Sequence, residues 1–548
     1  MIHKISIKPF FWRRNLLYFA KFYSKHKEKE IKIMSSTAES INNTGSQPDN
    51  RGIGGHPRGL TTLFLTEMWE RFSYYGLRPL LVLFMSAALF EGGFGFERGQ
   101  AAAIVGIYGA CVYLASLPGG WVADRLLGLR RAILYGAICI SAGHIAIGLS
   151  AFEGGKLAFF LGLILIVLGT GLLKPNISAI VGDLYPEGGA RRDAGFSIFY
   201  MGINVGAFFG QIITGYLGET VGWHFGFGAA GVGMLIGLTV FAIRSRTTLG
   251  DIGMHPTKHP DPVIQARQET QVKLILGIGL AILALVIVLA ATGFITLDAQ
   301  VIGKYMAYVL VSLAVIFFAY LFIAGNLSSD EKKRVLVIIV LFIFAVFFWS
   351  AFEQAPTSLN LFAKDFTERT IAGFEVPATW FQSINSLFII ILAPVFAAVW
   401  LRMGAKGRDL SSPGKFALGL LFAGIGFFVM IFAANIVVGS NGALKVSAMW
   451  LTVSYFFQTL GELCLSPVGL SSMTKLSPRR YVGQMMGIWF LASSIGNLVG
   501  GLVGGLVDPE KLEQMPTLFT ATTVALFIGA VVLALLAIPI RKMMRKCR

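Results

Sequence analysis

Apolar residues fall in long blocks along this chain, separated by short polar and basic stretches. The blocks Leu274–Ala290, Val335–Trp349 and Phe519–Ile540 approach the roughly 20 residues that carry a helix across a ~30 Å hydrocarbon core. Segmented on this basis, the chain predicts fourteen helical spans. They lie near 61–90, 101–123, 131–150, 157–181, 193–217, 224–243, 272–293, 303–325, 334–353, 378–401, 414–436, 446–473, 482–506 and 517–540. Glycines at four-residue spacing (Gly202, Gly206 and Gly210, then Gly496, Gly500 and Gly504) mark helix faces where a neighbouring backbone can approach closely. This is the pattern of an all-α polytopic membrane protein.

Charge then sets an orientation. One set of loops carries Arg125, Arg130 and Arg131; Arg191 and Arg192; Arg244, Arg246, Lys258 and Arg267; Lys332, Lys333 and Arg334; Arg402, Lys406 and Arg408; and Lys475, Arg479 and Arg480. The alternate loops carry only Arg98, Lys156, Lys304, Lys364, Arg369, Lys445 and Lys511. Basic loops stay on the cytoplasmic side, so both termini are expected there, in keeping with Arg541, Lys542, Arg545 and Lys546 near the end. The composition agrees, with 55% hydrophobic residues and 14% charged, against about 25% charged in soluble domains. Mean hydropathy is +0.70. The net charge of +17 is accounted for by these loops, so the expected partner is a lipid bilayer and not nucleic acid. Cys111, Cys139, Cys464 and Cys547 show neither paired nor metal-type spacing and are expected to be free thiols. Residues 1–33 are basic and aromatic without a signal-peptide apolar core, and the polar tract Ser35–Arg51 sets them off. They read either as a membrane-surface anchor or as sequence upstream of a start at Met34. The connection Arg244–Gln271, rich in Pro, His and Thr, parts six spans from eight, and two bundles around a midplane site are common among secondary transporters.

The chemistry lies in charges that interrupt apolar spans. An ionisable group at the centre of a membrane helix costs at least ~2.5–3.5 kcal/mol and therefore needs a reason. In the first span Glu67, Glu70, Arg71, Tyr74 and Arg78 are related by steps of three and four, so they share one helix face, with Tyr75 beside them. Lys174 lies mid-span in Gly-Thr-Gly-Leu-Leu-Lys-Pro-Asn, Glu353 ends the ninth span, and Glu462 follows Gly461. These groups must face a polar interior. Arg71 and Lys174 suit a carboxylate, Arg71 bidentately; Glu462 suits an ammonium; Asn204 and Asn385 suit an amide between the two. Glu67, Glu70 and Glu353 are candidates for proton coupling, since a buried carboxylate beside a cation changes its charge when that cation is engaged elsewhere.

These residues closely resemble the proton-dependent oligopeptide transporter family of the major facilitator superfamily, bacterial type. The first span is similar to the pattern E-x-x-E-R-F-x-Y-Y-G, matched by Glu67, Glu70, Arg71, Phe72, Tyr74, Tyr75 and Gly76. Lys174-Pro175-Asn176 with Asp183, Phe199-Tyr200 with Asn204 and Gly206, Trp380 to Asn385, and Gly461-Glu462 with Ser466-Pro467 resemble further family segments. Gly120 to Arg131 resembles the superfamily's loop between the second and third helices. The resemblance covers about 58 to 540; Ser386 departs from it, standing where many relatives have proline.

It implies twelve core helices in two six-helix bundles, 58–248 and 331–548, with a linker and two inserted helices at 249–330 and the segment 1–57 preceding them. It implies proton coupling through Glu67, Glu70, Arg71, Lys174 and Glu353, and gate pairs Arg78–Glu353 and Lys174–Glu462. The implied substrate pocket comprises Arg71, Tyr74, Tyr75, Arg78, Tyr113, Lys174, Asn204, Asn385, Glu462, Ser466 and Trp489. The expected activity is symport of protons with di- and tripeptides through the bacterial inner membrane, by a monomer and without cofactor or metal. Transport of another small organic ion is the alternative. An enzyme is not expected, for the chain shows no metal constellation, phosphate-binding glycine loop or nucleophile with a matched base.

Overall fold

The computed structural model describes residues 50–152, 155–187, 189–257, 261–406 and 410–545. The N-terminal segment 1–33, the choice between Met1 and Met34, and Cys547 lie outside the described residues, as does most of the tract Ser35–Arg51. Residues 50–58 form a small unit with a 3-10 turn at Ile53–Gly55. The remainder forms a single unit built on fourteen long helices, the number the apolar blocks predict.

These are α1 (Arg58–Ser86), α2 (Arg98–Val122), α3 (Leu129–Leu149), α4 (Gly155–Asp183), α5 (Gly189–Tyr216), α6 (Trp223–Thr248) and α7 (Pro262–Ala291). The rest are α8 (Ala299–Ile323), α9 (Ser329–Phe352), α10 (Trp380–Ala405), α11 (Ser412–Gly439), α12 (Met449–Leu476), α13 (Val482–Gly504) and α14 (Gln514–Arg545). Twelve of them are long and apolar enough to cross a membrane by length and composition alone; α1, with its charged face, and α12, with Gln458, Thr459 and Glu462, are the two that are not.

Local chemistry explains several helix starts. Ser328 and Glu331 form a reciprocal capping box on α9, with Glu331 N–H donating to Ser328 Oγ at 3.3 Å and Ser328 N–H to Glu331 Oε2 at 2.9 Å. Asp261 caps α7 by accepting from Val263 N–H at 2.8 Å, with Pro262 in the first turn. That cap shortens the expected linker 244–271: α6 runs on to Thr248, α7 begins at Pro262, and the polar residues from Gln265 to Gln271 are helical. Apolar periodicity misses them because Gln, Arg and Glu are good helix formers that extend α7 beyond its apolar block. A second departure follows α9, where a π-turn at Ala355–Leu359 and a short helix at Asn360–Phe366 precede α10. Two residue pairs of strand complete the described structure: Thr367–Glu368 runs parallel to Val446–Ser447, and Thr370–Ile371 antiparallel to Phe374–Glu375.

Both glycine faces read from the sequence are contact faces. A Cβ on Gly206 would collide with the Met68 carbonyl, and one on Gly210 with that of Phe72, so α5 lies directly against α1. On α13, Gly496 meets Trp349, Gly500 meets Glu353 and Gly504 meets Thr357, so α13 lies against α9 and the turn after it. Among the first six helices α3 packs on α4 and α6, and α2 on α4; among the last six α11 packs on α12 and α14, and α9 on α13. The two groups meet where α2 crosses α13 and α5 meets α10. Helix α8 packs on α2 and α13, whereas α7 has none of its most apolar window buried, as expected of a helix surrounded by lipid.

Candidate functional site

The charged face of α1 points inward. Glu67, Glu70, Arg71 and Tyr74 are all nearly inaccessible, and Arg78 is 7% exposed. Arg71 Nε lies 3.0 Å from Glu67 Oε1 and also pairs with Glu70, so one guanidinium is shared by two carboxylates. The carbon at its centre sits 5.4 Å from the Tyr74 ring centroid. Among the described residues Arg71 Nη2 has no hydrogen-bond acceptor and the Tyr74 hydroxyl has no partner. The bare Gly76 backbone lets Thr214 of α5 approach and donate to the Gly76 carbonyl at 2.8 Å.

Lys174 on α4 reaches toward the same region, its Nζ 4.0 Å from the Tyr113 ring centroid on α2. Pro175, which follows it, leaves a backbone position without a donor, a break that transmembrane helices tolerate where neighbours supply partners. Asn176 donates to the Leu172 carbonyl at 2.6 Å and so stiffens that turn. Tyr75 and Tyr113 are partly buried, and the Tyr74 ring stacks on Tyr108 at 6.2 Å.

Toward the end of the bundle where α1 terminates, Arg78 Nη2 donates to Glu353 Oε2 at 2.5 Å and to Asn497 Oδ1 at 2.5 Å. The expected pair Arg78–Glu353 is thus formed, 275 positions apart in sequence, with a third member from α13. Further ties lie at this end. Arg98 pairs with Asp365, Asn360 donates to the Pro79 carbonyl at 2.7 Å, and Thr357 Oγ1 donates to the Gly500 carbonyl at 3.2 Å.

The second expected pair is not brought together: no Lys174–Glu462 ion pair is present among the described residues. Glu462 instead accepts from Asn385 Nδ2 at 3.1 Å, and that amide also donates to Thr459 Oγ1 at 3.0 Å. Asn204 is turned to its own helix, donating to the Tyr200 carbonyl at 3.1 Å. Ser466 has a buried hydroxyl without a partner among the described residues, and Trp489 is buried against Gly469 and 6.3 Å from the Phe416 ring. The seam between the first and last six helices therefore carries cations and carboxylates from α1 and α4 on one side and Glu462 with Asn385 on the other. A groove of about 730 Å³ between α11 and α14 is lined by apolar residues such as Leu418, Leu421 and Val531 and carries none of these groups. No cluster of three or more His, Cys, Asp or Glu residues able to hold a metal occurs among the described residues.

Asn497, Asn360 and Asp365 were not singled out from the sequence. A signal existed for Asn497, an amide inside an apolar run between Gly496 and Leu498. None existed for Asn360 and Asp365, which sit where the apolar pattern had already ended.

The family profile described as "PTR2: POT family" matches residues 130–519. The chain is 49% identical over 506 residues to "Peptide transporter YePEPT" of Yersinia enterocolitica, covering 91% of this chain and 97% of the relative. It is 36% identical over 500 residues to "Di-/tripeptide transporter" of Lactococcus lactis subsp. cremoris, covering 90% and 98%. Among solved structures it superposes with TM-score 0.82 on "Crystal structure of peptide transporter POT in complex with sulfate", at 41% identity and coverages of 91% and 98%.

Proposed function

The chain belongs to the POT family of membrane transporters, and on that premise we propose that it is a proton-coupled symporter importing di- and tripeptides by alternating access. The observation that carries the reading is the division of charge across the seam. Arg71 and Lys174 stand on the side of the first six helices and Glu462 on the side of the last six. A short peptide presents a carboxylate at one end, an ammonium at the other and amides between, which is the complement of that arrangement. Tyr74, Tyr75, Tyr113, Asn204, Asn385, Ser466 and Trp489 supply the polar and aromatic walls.

Proton coupling in this reading follows from competition for cations. Glu67 and Glu70 share Arg71, and a peptide carboxylate entering at Arg71 and Lys174 takes part of that cationic partner away. The carboxylate left behind is stabilised by a proton. At the other level, Glu353 is held by Arg78 while that end is shut, and protonation of Glu353 releases it. The geometry supports one closed gate, Arg78–Glu353, with the Lys174–Glu462 pair as the gate that forms when the opposite end closes.

The basic loops support an orientation with both termini in the cytoplasm, which makes the Arg78–Glu353 end the outer one, in the cytoplasmic (inner) membrane of a bacterium. Residues 58–248 and 331–548 are read as the two bundles that rock, 249–330 as linker and inserted pair, and one chain as the working unit. The test is uptake of radiolabelled dialanine by reconstituted liposomes under an inside-negative potential and an acid-outside gradient. Accumulation above the external concentration is expected, and uptake indifferent to both gradients would remove the proton from the reading.

A further inference from the structure

Glu219 belongs to none of the motifs above, yet its carboxylate accepts more hydrogen bonds than any other described in the site. It lies in a π-turn, Leu217–Val221, that ends α5, and its side chain is 4% exposed. Oε2 accepts from Ala378 N–H at 3.0 Å. Oε1 accepts from Thr379 N–H at 2.9 Å and from Thr379 Oγ1 at 2.9 Å. Lys364 Nζ lies 3.7 Å from Oε2.

Ala378 and Thr379 immediately precede the 26-residue helix α10. The first N–H groups of a helix have no partner within it and carry the positive end of its dipole, so an ionised carboxylate is the strongest acceptor for them. The Thr379 side chain makes no capping bond to its own helix. The cap of α10 is therefore supplied by α5, a helix of the other group. The surroundings fasten the same two ends: Trp380 Nε1 donates to the Ile212 carbonyl at 2.9 Å, and Thr379 packs on Gly215.

We propose that Glu219 is a latch for the outer face, a positioning residue whose three accepted hydrogen bonds hold α5 to the start of α10 and must be released for that face to open. The proposal rests on the alternating-access reading above. It deepens that reading by naming a tie at the α5–α10 contact, separate from Arg78–Glu353 at α1 and α9. When the two ends part, Glu219 and the N-terminus of α10 each regain water, so the latch sets the balance between shut and open while taking no part in binding peptide.

The test uses the full chain in liposomes, with Cys111, Cys139, Cys464 and Cys547 replaced by Ser and spin labels at Phe225 and Ile371, both exposed. Pulsed dipolar spectroscopy without substrate reads the populations of short and long separations. Glu219→Gln keeps the volume but turns an amide N–H₂ toward backbone donors, and the open-to-shut ratio is expected to rise about 10- to 100-fold, the loss of a charge-assisted hydrogen bond. Glu219→Asp, which keeps the charge but not the reach, falls between. Thr379→Val removes only the hydroxyl donor and raises the ratio roughly 3- to 10-fold. It serves if Glu219→Gln does not fold. An unchanged ratio in folded Glu219→Gln, or in Thr379→Val where the first is lost, overturns the proposal. Because no peptide is present, a shifted ratio with no dialanine uptake keeps the latch and refutes the substrate, whereas normal uptake with an unchanged ratio does the reverse.

Discussion

The Arg78 guanidinium offers a quantitative check on how this end of the bundle is held. Glu353→Gln keeps the size of the side chain but removes the charge that accepts from Nη2 at 2.5 Å. The Arg78 side chain is 8% exposed, so it cannot turn to water while the helices stay together. Breaking a buried ion pair by removing one partner costs about 3–5 kcal/mol. Here Asn497 keeps a second acceptor at 2.5 Å from the same nitrogen. The substituted Gln carbonyl can accept as well, which brings the expected loss to about 2–3 kcal/mol. Asn497→Ala alone removes one acceptor from a charged donor, about 1.5–3 kcal/mol. The double variant leaves the cation with only the neutral Gln carbonyl, so its loss should exceed the sum of the two by about 1 kcal/mol or more. Reversible unfolding of the four proteins in mixed detergent micelles measures this cycle. Additivity within about 0.5 kcal/mol would refute the idea that the two side chains stabilise one shared charge.

Three further outcomes are expected. Glu67→Gln or Glu70→Gln should abolish gradient-driven dialanine accumulation while sparing counterflow; an equal fall in both assays would assign these carboxylates to binding or structure. Lys174→Gln removes one of the two cations proposed to hold the substrate carboxylate, and the KM for dialanine should rise at least about 10-fold, the loss of one hydrogen bond to a charged group; competition by dialanine amide, which lacks the carboxylate, should be unaffected. Gly206→Val pushes two methyl groups against the Met68 carbonyl, and should lower stability by about 1–3 kcal/mol or prevent folding, read as loss of monodisperse protein on size exclusion.

Much of the architecture was legible because one physical constraint dominates it. A helix that must satisfy its backbone in hydrocarbon writes a block of apolar residues into the sequence, and fourteen blocks gave fourteen long helices. The charged face of α1 was equally legible, since Glu67 to Arg78 is a local pattern governed by helical spacing. Pairing across the fold was not. Arg78 to Asn497 spans 419 positions, and no periodicity in one sequence relates them. Glu219 escaped for a different reason: a carboxylate at a helix end reads as an ordinary exposed loop charge until its partners are known. Asn385, expected to bond a substrate amide, has its own amide engaged by Glu462 and Thr459.

The crossing of α2 and α13 has a mechanical meaning. A Cβ on Gly106 would stand 2.8 Å from the Gly501 Cα, so at this point bare backbone slides past bare backbone. Most helix pairs interlock through side chains that act as gear teeth, and turning one against the other requires the teeth to lift out. At Gly106 and Gly501 there are none, although Asn497 packs on Gly109 and Leu117 on Gly487 farther along the same pair. Nearby, Ser494 Oγ donates to the Ala110 carbonyl at 2.9 Å and ties the two helices beside this point. In the alternating-access cycle proposed above, such a contact would act as a plain bearing, a pivot about which the two proposed bundles could tilt with little change at the point of contact.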